Sequence, residues 1–134
     1  MDIQFVLTES APVFEFAIPA ERNNFSTICI AVISGIADAV DAVEAVEADP
    51  EADPPVAAVE AVDAIPANAV SLEYAMPAAV DAAAGSALTE AWVDSGKTFA
   101  ADGLHDVPIV GTYGGKMRFV LSGEREMRIR FFLL

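Results

Sequence analysis

The chain has few of the residues that usually carry chemistry. Its 134 residues include one cysteine and one histidine, so an intramolecular disulfide is impossible and a structural zinc site lacks ligands. The cysteine, Cys29, lies in the apolar run 28–33 with no basic residue beside it to favour the thiolate. We therefore expect a buried small hydrophobe there and not a nucleophile.

Basic residues are also scarce. Seven Lys and Arg stand against 21 Asp and Glu, which gives a formal net charge of −14. Binding to phosphate or to anionic lipid needs a positive face, so we expect neither a nucleic-acid nor a membrane partner. Six of the seven basic residues follow Gly96. A basic end of this kind can contact the acidic part of a second copy.

Long hydrophobic runs are missing as well. The longest uncharged stretch, 23–37, is too short and too polar at its start to span a bilayer. The N-terminal residues 1–4 lack the basic region of a signal peptide. We expect a protein that is soluble, or insoluble only through assembly.

What the chain does contain is short alternating segments separated by Gly, Pro and Asp. The predicted strands are 3–8, 13–18, 25–33, 70–76, 88–93, 107–110, 116–121 and 126–132, with a loop or helical turn at 78–87 and a turn at 94–97. Short strands at this spacing are typical of sandwiches and jelly rolls. The fold class predicted is all-β, a single β-sandwich or jelly-roll-like domain formed by residues 1–36 and 69–134.

Two strand pairings are expected. Segment 70–76 would lie beside 25–33, and the last two segments would form a C-terminal hairpin. This hairpin would align a basic stripe on one sheet face, formed by Lys116, Arg118, Arg128 and Arg130.

Residues 37–68 form an inserted segment of low complexity. Acidic-Ala-Val triplets such as 38–40 and 41–43 run toward a Pro-rich centre at 49–55, and similar triplets follow it. A period of three matches neither a helix nor a strand. Two similar runs around a Pro-rich centre predict an acidic hairpin arm, with an extended β-type arm first and a helical pair second.

No motif for a cofactor, metal or reaction is complete. The acidic residues at 49–60 have an EF-hand-like spacing, but Pro54 occupies the position of the required glycine. His105 and Asp106 could be combined with Ser95 or Ser122, yet the Gly-x-Ser-x-Gly elbow is missing. We expect no enzyme, cofactor or metal site. A hydrolase remains a rival hypothesis.

The segments 92–99 and 111–119, together with the Ala/Val/Glu/Pro insertion, resemble small β-rich virion proteins of tailed bacteriophages. The resemblance implies a non-enzymatic virion structural protein, first of all a capsid decoration (cement) protein that stabilises the particle through subunit contacts. Its implied partners are other copies of itself and a major capsid or other virion protein. It would be located in the virion, assembled in the host cytoplasm.

Two alternatives stay open: a phage neck or tail component, and a carbohydrate-binding β-sandwich module that uses Trp92. The resemblance transfers no residue role. From the charges we take as candidate subunit contacts the arm residues Asp38, Asp41, Glu44 and Glu47, and the stripe residues Lys116, Arg118, Arg128 and Arg130.

Overall fold

The computed structural model describes residues 2–22, 27–81, 87–108 and 116–134, and within these ranges it gives no side-chain description for 20, 76–81 and 87–90. The described strands are β1 (Asp2–Leu7), β2 (Val13–Ala17), β3 (Cys29–Ser34), β4 (Ala69–Asp81), β5 (Ala87–Phe99), β6 (Gly103–Asp106), β7 (Lys116–Ser122) and β8 (Met127–Leu133). A short 3-10 turn, Ala20–Arg22, follows β2. In this part of the chain no helix is long and apolar enough to cross a membrane.

The strands form two four-stranded antiparallel sheets that pack against each other. Sheet I has the order β1-β8-β3-β6 and sheet II the order β2-β7-β4-β5. The first strand pairs with the eighth, the second with the seventh, the third with the sixth and the fourth with the fifth. This is the jelly-roll arrangement, so the all-β sandwich predicted from the sequence is confirmed.

Alternation along the strands builds the core between the sheets. On β7, a period of two places Met117, Phe119 and Leu121 inward, where they are at most 6% exposed. Phe119 lies among the rings of four other phenylalanines, with centroid distances of 5.5 to 6.2 Å. Ring contacts of this kind add to the free energy gained from burying the apolar area.

The predicted C-terminal hairpin is wrong. Strand β7 lies in sheet II and β8 in sheet I, so the two do not pair. The connection carries the chain from one sheet to the other through Gly123, whose φ of +103° is in the left-handed region. A Cβ there would also lie 2.9 Å from the Cβ of Asn68, so glycine fits this crossing better than any other residue.

The expected pairing of 70–76 with 25–33 is also wrong, because β3 belongs to sheet I and β4 to sheet II. Strand β4 pairs instead with β5 and β7. The predicted loop or helical turn at 78–87 is strand at 78–81 and at 87, and 82–86 lie outside the described residues. The predicted turn at 94–97 is wrong, because these residues belong to β5. Strand β4 runs to Asp81, and β5 passes through 94–97 with a bulge opposite Leu72 and Glu73.

One strand was missed. The segment 103–106 forms β6, whereas a strand was predicted at 107–110. Val107 and Pro108 follow β6 outside any strand, and 109–110 lie outside the described residues. The segment lacks a run of β-branched residues, so its sequence does not mark it as a strand.

Residues 37–68 connect β3 to β4 as a hairpin arm, in agreement with the prediction. Four antiparallel bridges join its two legs: Val40 with Ile65, Val43 with Val62, Val46 with Val59 and Asp49 with Val56. The arm is extended, not a pair of helices.

Candidate interaction surfaces

The arm is held by hydrogen bonds at every third residue. In each bridge the two residues exchange N–H to carbonyl bonds of 2.8 or 2.9 Å. An ordinary β-ladder at an edge repeats every second residue, whereas three residues per turn is the repeat of a polyproline II leg. The triplets seen in the sequence are therefore the hydrogen-bonding repeat of this hairpin.

The apolar residues of the triplets occupy the bridges, and they are exposed. We call this set the valine ribbon: Val40, Val43, Val46, Val56, Val59, Val62 and Ile65. Its six valines are 41 to 49% exposed, and Ile65 is half-buried. Two chain segments with hydrogen bonds between them and no buried side chains are marginal in water. An exposed apolar row of this kind is typical of a surface that binds another molecule.

Acidic residues run along the same legs. The arm holds nine carboxylates and no basic residue. The predicted contacts Asp38, Asp41, Glu44 and Glu47 are all exposed, and because they are three residues apart they share one row of the first leg. The four are spread along this leg and are not gathered at one point.

The base of the arm is fixed to the sandwich by Asn68, a polar residue only 2% exposed. Its Oδ1 accepts from the backbone N–H of Ala37 at 2.7 Å, and its Nδ2 donates to the carbonyl of Gly35 at 2.9 Å. Next to this contact, the N–H of Ile36 donates to Oδ1 of Asp102 at 2.8 Å. These bonds hold both legs where they leave the sheets.

The predicted basic stripe is divided between the two outer faces of the sandwich. Arg118 on sheet II donates to Glu73 at 2.6 Å and covers the ring of Trp92, with its Cζ 4.4 Å from the ring centroid. Lys116 lies on the same strand, β7. Arg128 and Arg130 lie on β8 in sheet I. The stripe does not exist as one surface because β7 and β8 are in different sheets.

The outer face of sheet I combines the two arginines with exposed apolar side chains. Strand register places Val6, Arg128 and Ser34 in one row, and Gln4, Arg130, Val32 and Leu104 in the next. We call these two rows the sheet I patch. A shallow trough runs across it, lined by Gln4, Val6, Val32, Ser34, Arg128 and Arg130.

Both arginines of this patch have exposed partners. Arg130 donates to both carboxylate oxygens of Asp2, at 3.0 and 2.6 Å, which holds the pKa of Asp2 below its usual value. Arg128 contacts Glu126 at 3.3 Å. Pairs as exposed as these contribute little free energy and exchange readily.

The exposed apolar residues of the sheet I patch were not predicted from the sequence. A period of two within β1 and β3 could have placed Val6 and Val32 outward, but it would not have shown that β1, β8 and β3 are neighbours. Leu104, 66% exposed, lies on the strand that was missed. The available signal was one valine at an outward position in each of two predicted strands. These valines indicate an apolar surface only once the strand order shows that they lie close together.

The remaining candidate residues are separated from one another. His105 and Asp106 are neighbours on β6, so their side chains leave opposite faces of the sheet. The His105 ring packs 5.1 Å from that of Phe99, and its Nε2 lies 2.7 Å from the carbonyl of Ala101. Cys29 is buried, and this burial raises the pKa of its thiol to about 11.

In the described part of the chain no three His, Cys, Asp or Glu side chains are grouped as metal ligands. The glycine-rich part of the resemblance, 111–115, lies outside the described residues. No family model matches the chain, and neither a curated protein nor a solved structure is significantly similar to it.

Proposed function

We propose that the chain is a non-enzymatic structural protein of a virion, most specifically a capsid decoration protein that stabilises the particle through subunit contacts. The observation that carries the proposal is the arm. It extends from a sandwich with its own core, and its apolar side chains pack into no core of their own.

An arm of this kind suits assembly better than catalysis. Each leg is extended, so it presents much surface per residue and has backbone groups free for a neighbour. Above the bonds between Ala37 and Asn68 at the base, the legs hydrogen-bond to each other only at the bridge positions, which leaves the acidic and alanine positions between the bridges without an inter-leg bond. Contact with a neighbouring subunit would cover the valine ribbon and these backbone groups together.

The jelly roll supports the proposal at the level of fold analogy, because this fold is frequent in viral capsid domains. Lectin domains share the fold, but the ring of Trp92 is covered on one face by the Arg118 guanidinium. A sugar platform needs an open aromatic face, so the carbohydrate-binding alternative gains no support from this residue.

Fractionation of particles tests the proposal. In cells that produce the chain at its native level, we expect it to sediment with DNA-containing particles, and antibodies against it to decorate those particles in electron micrographs. An irrelevant antibody of the same class is the control. A chain recovered wholly in the low-mass fraction, with undecorated particles, would contradict the proposal.

A further inference from the structure

We infer that the arm of one copy binds the sheet I patch of a second copy. The inference rests on the proposed assembly role and names the partner of the arm. Both surfaces belong to this chain, and each has what the other lacks. The valine ribbon is apolar and flanked by carboxylates, whereas the sheet I patch is apolar and contains two guanidinium groups.

The valine ribbon and the sheet I patch both expose aliphatic side chains. The ribbon exposes valine pairs at successive bridges, and the patch exposes Val6, Val32 and Leu104 at 47, 38 and 66%. The trough in the patch gives the ribbon a concave surface to bind. Burying both surfaces supplies the apolar contact that the arm does not find within its own chain.

The charges set the orientation of this contact. The two rows of the patch present Arg128 and Arg130 and no carboxylate, and Asp2 and Asp106 lie in the next row of the same face. The exposed pairs that Asp2 and Glu126 make with the two arginines would be exchanged for pairs with the arm. The two arginines are two residues apart on a strand, about 7 Å. Successive acidic residues of a leg are three apart, about 9 Å in a polyproline II leg. Two neighbouring carboxylates can therefore each meet one flexible arginine.

Sheet II is the weaker seat for the arm. Its outer face carries Lys116 and Arg118, and the row of Arg118 also holds the carboxylates of Glu15, Glu73 and Asp94. The Arg118 guanidinium is already held by Glu73 and the Trp92 ring. An acidic arm would meet more repulsion there than at the sheet I patch, whose two arginines are also more exposed than Arg118.

A contact between two different surfaces of the same chain is heterologous. Every copy then offers one free arm and one free patch, and association continues head to tail into rings or open chains. Light scattering on size-exclusion fractions measures the mass of these assemblies. We expect the mass of the purified chain to rise with concentration and to fall toward the monomer as salt screens the charges.

Two matched substitutions test the surface. Val6→Asp places a carboxylate in the patch on edge strand β1. Val13→Asp makes the same change on edge strand β2 of sheet II, where Val13 is similarly exposed at 44%. Val6→Asp, like Arg128→Gln with Arg130→Gln, should abolish the high-mass species. Val13→Asp should associate as the unchanged chain does. Thermal unfolding of each variant confirms that it is folded.

A mixing experiment distinguishes this contact from arm-to-arm packing. A chain with Val43→Asp and Val62→Asp has a damaged ribbon and an intact patch, whereas Val6→Asp has the reverse. Each alone should be monomeric, and the mixture should give a one-to-one dimer that grows no further.

The inference is overturned if the unchanged chain is monomeric at all concentrations and salts, if Val6→Asp and Val13→Asp behave alike, or if salt strengthens association. A monomer that still sediments with particles would overturn the inference and leave the proposed function standing. Head-to-tail association in a chain absent from particles would do the opposite.

Discussion

At the scale of single residues, the described structure depends most visibly on Asn68. It is a short polar side chain held in the interior where the arm meets the sandwich. Asn68 directly precedes β4, and its amide bonds to Gly35 and Ala37 in the segment that follows β3. A buried polar group is tolerated only when its hydrogen bonds are made, and here they are made to backbone atoms that otherwise lack a partner. Asn68 therefore couples the arm to the sheets.

Removing this amide should lower the stability of the whole domain. Asn68→Ala leaves the Ala37 N–H and the Gly35 carbonyl without their partner, so we expect a loss of about 1–3 kcal/mol in the free energy of unfolding. Urea unfolding followed by tryptophan fluorescence measures it. The exposed Ser122→Ala should change stability by no more than about 0.5 kcal/mol. Equal, small effects for the two variants would contradict a structural role for Asn68.

At the scale of elements, the triplet repeat of the arm predicted the hairpin but not the hydrogen-bonding pattern that explains a period of three. The triplets predict a hairpin, but a period of three does not match a β-ladder, whose repeat is two. The conflict disappears once each leg makes three residues per turn, because every third N–H then points toward the other leg. The three-residue spacing of the triplets therefore follows from the hydrogen bonds between the legs, and not from the burial of one face.

Amide hydrogen exchange should reproduce this spacing. We expect protected amides at Val40, Val43 and Val46, and exchange near the unprotected rate at the acidic and alanine positions between them, because only the bridge amides donate across the hairpin. Edge strand β1 is an internal control, since it should alternate with a period of two. Protection at every second residue of the arm would show an ordinary β-hairpin in its place.

The sequence predicted the position of most strands, but not the order of the strands in the sheets. Alternation located most strands and the inward faces of β7 and β8, since which side chains are buried follows from a period of two. It said nothing about which strands are neighbours. In a jelly roll most connections cross between sheets, so the adjacent segments β7 and β8 are not a hairpin. The sheet I patch was missed for that reason, whereas the carboxylate row of the arm was found within one segment.

At the scale of the whole molecule, the arm and the sandwich are distinct in their energetics. The core residues come from the two sheets and the segments next to them, and none belongs to the legs of the arm. A sandwich of this kind folds through contacts between strands far apart in sequence. A long insertion between β3 and β4 adds to the entropic cost of bringing them together, although the cost grows only slowly with length.

Replacing residues 38–67 by an Asn-Gly turn tests this separation. Ala37 and Asn68 already face each other, with the Asn68 N–H donating to the Ala37 carbonyl at 3.3 Å, so a two-residue turn closes the gap. We expect cooperative unfolding with stability unchanged or raised by up to about 2 kcal/mol, because the shorter loop closes at lower entropic cost. Head-to-tail association should be lost. A shortened chain that no longer unfolds cooperatively would mean that the arm is part of what holds the two sheets together, and its exposed valines would then have to be explained by stability and not by contact with a neighbour.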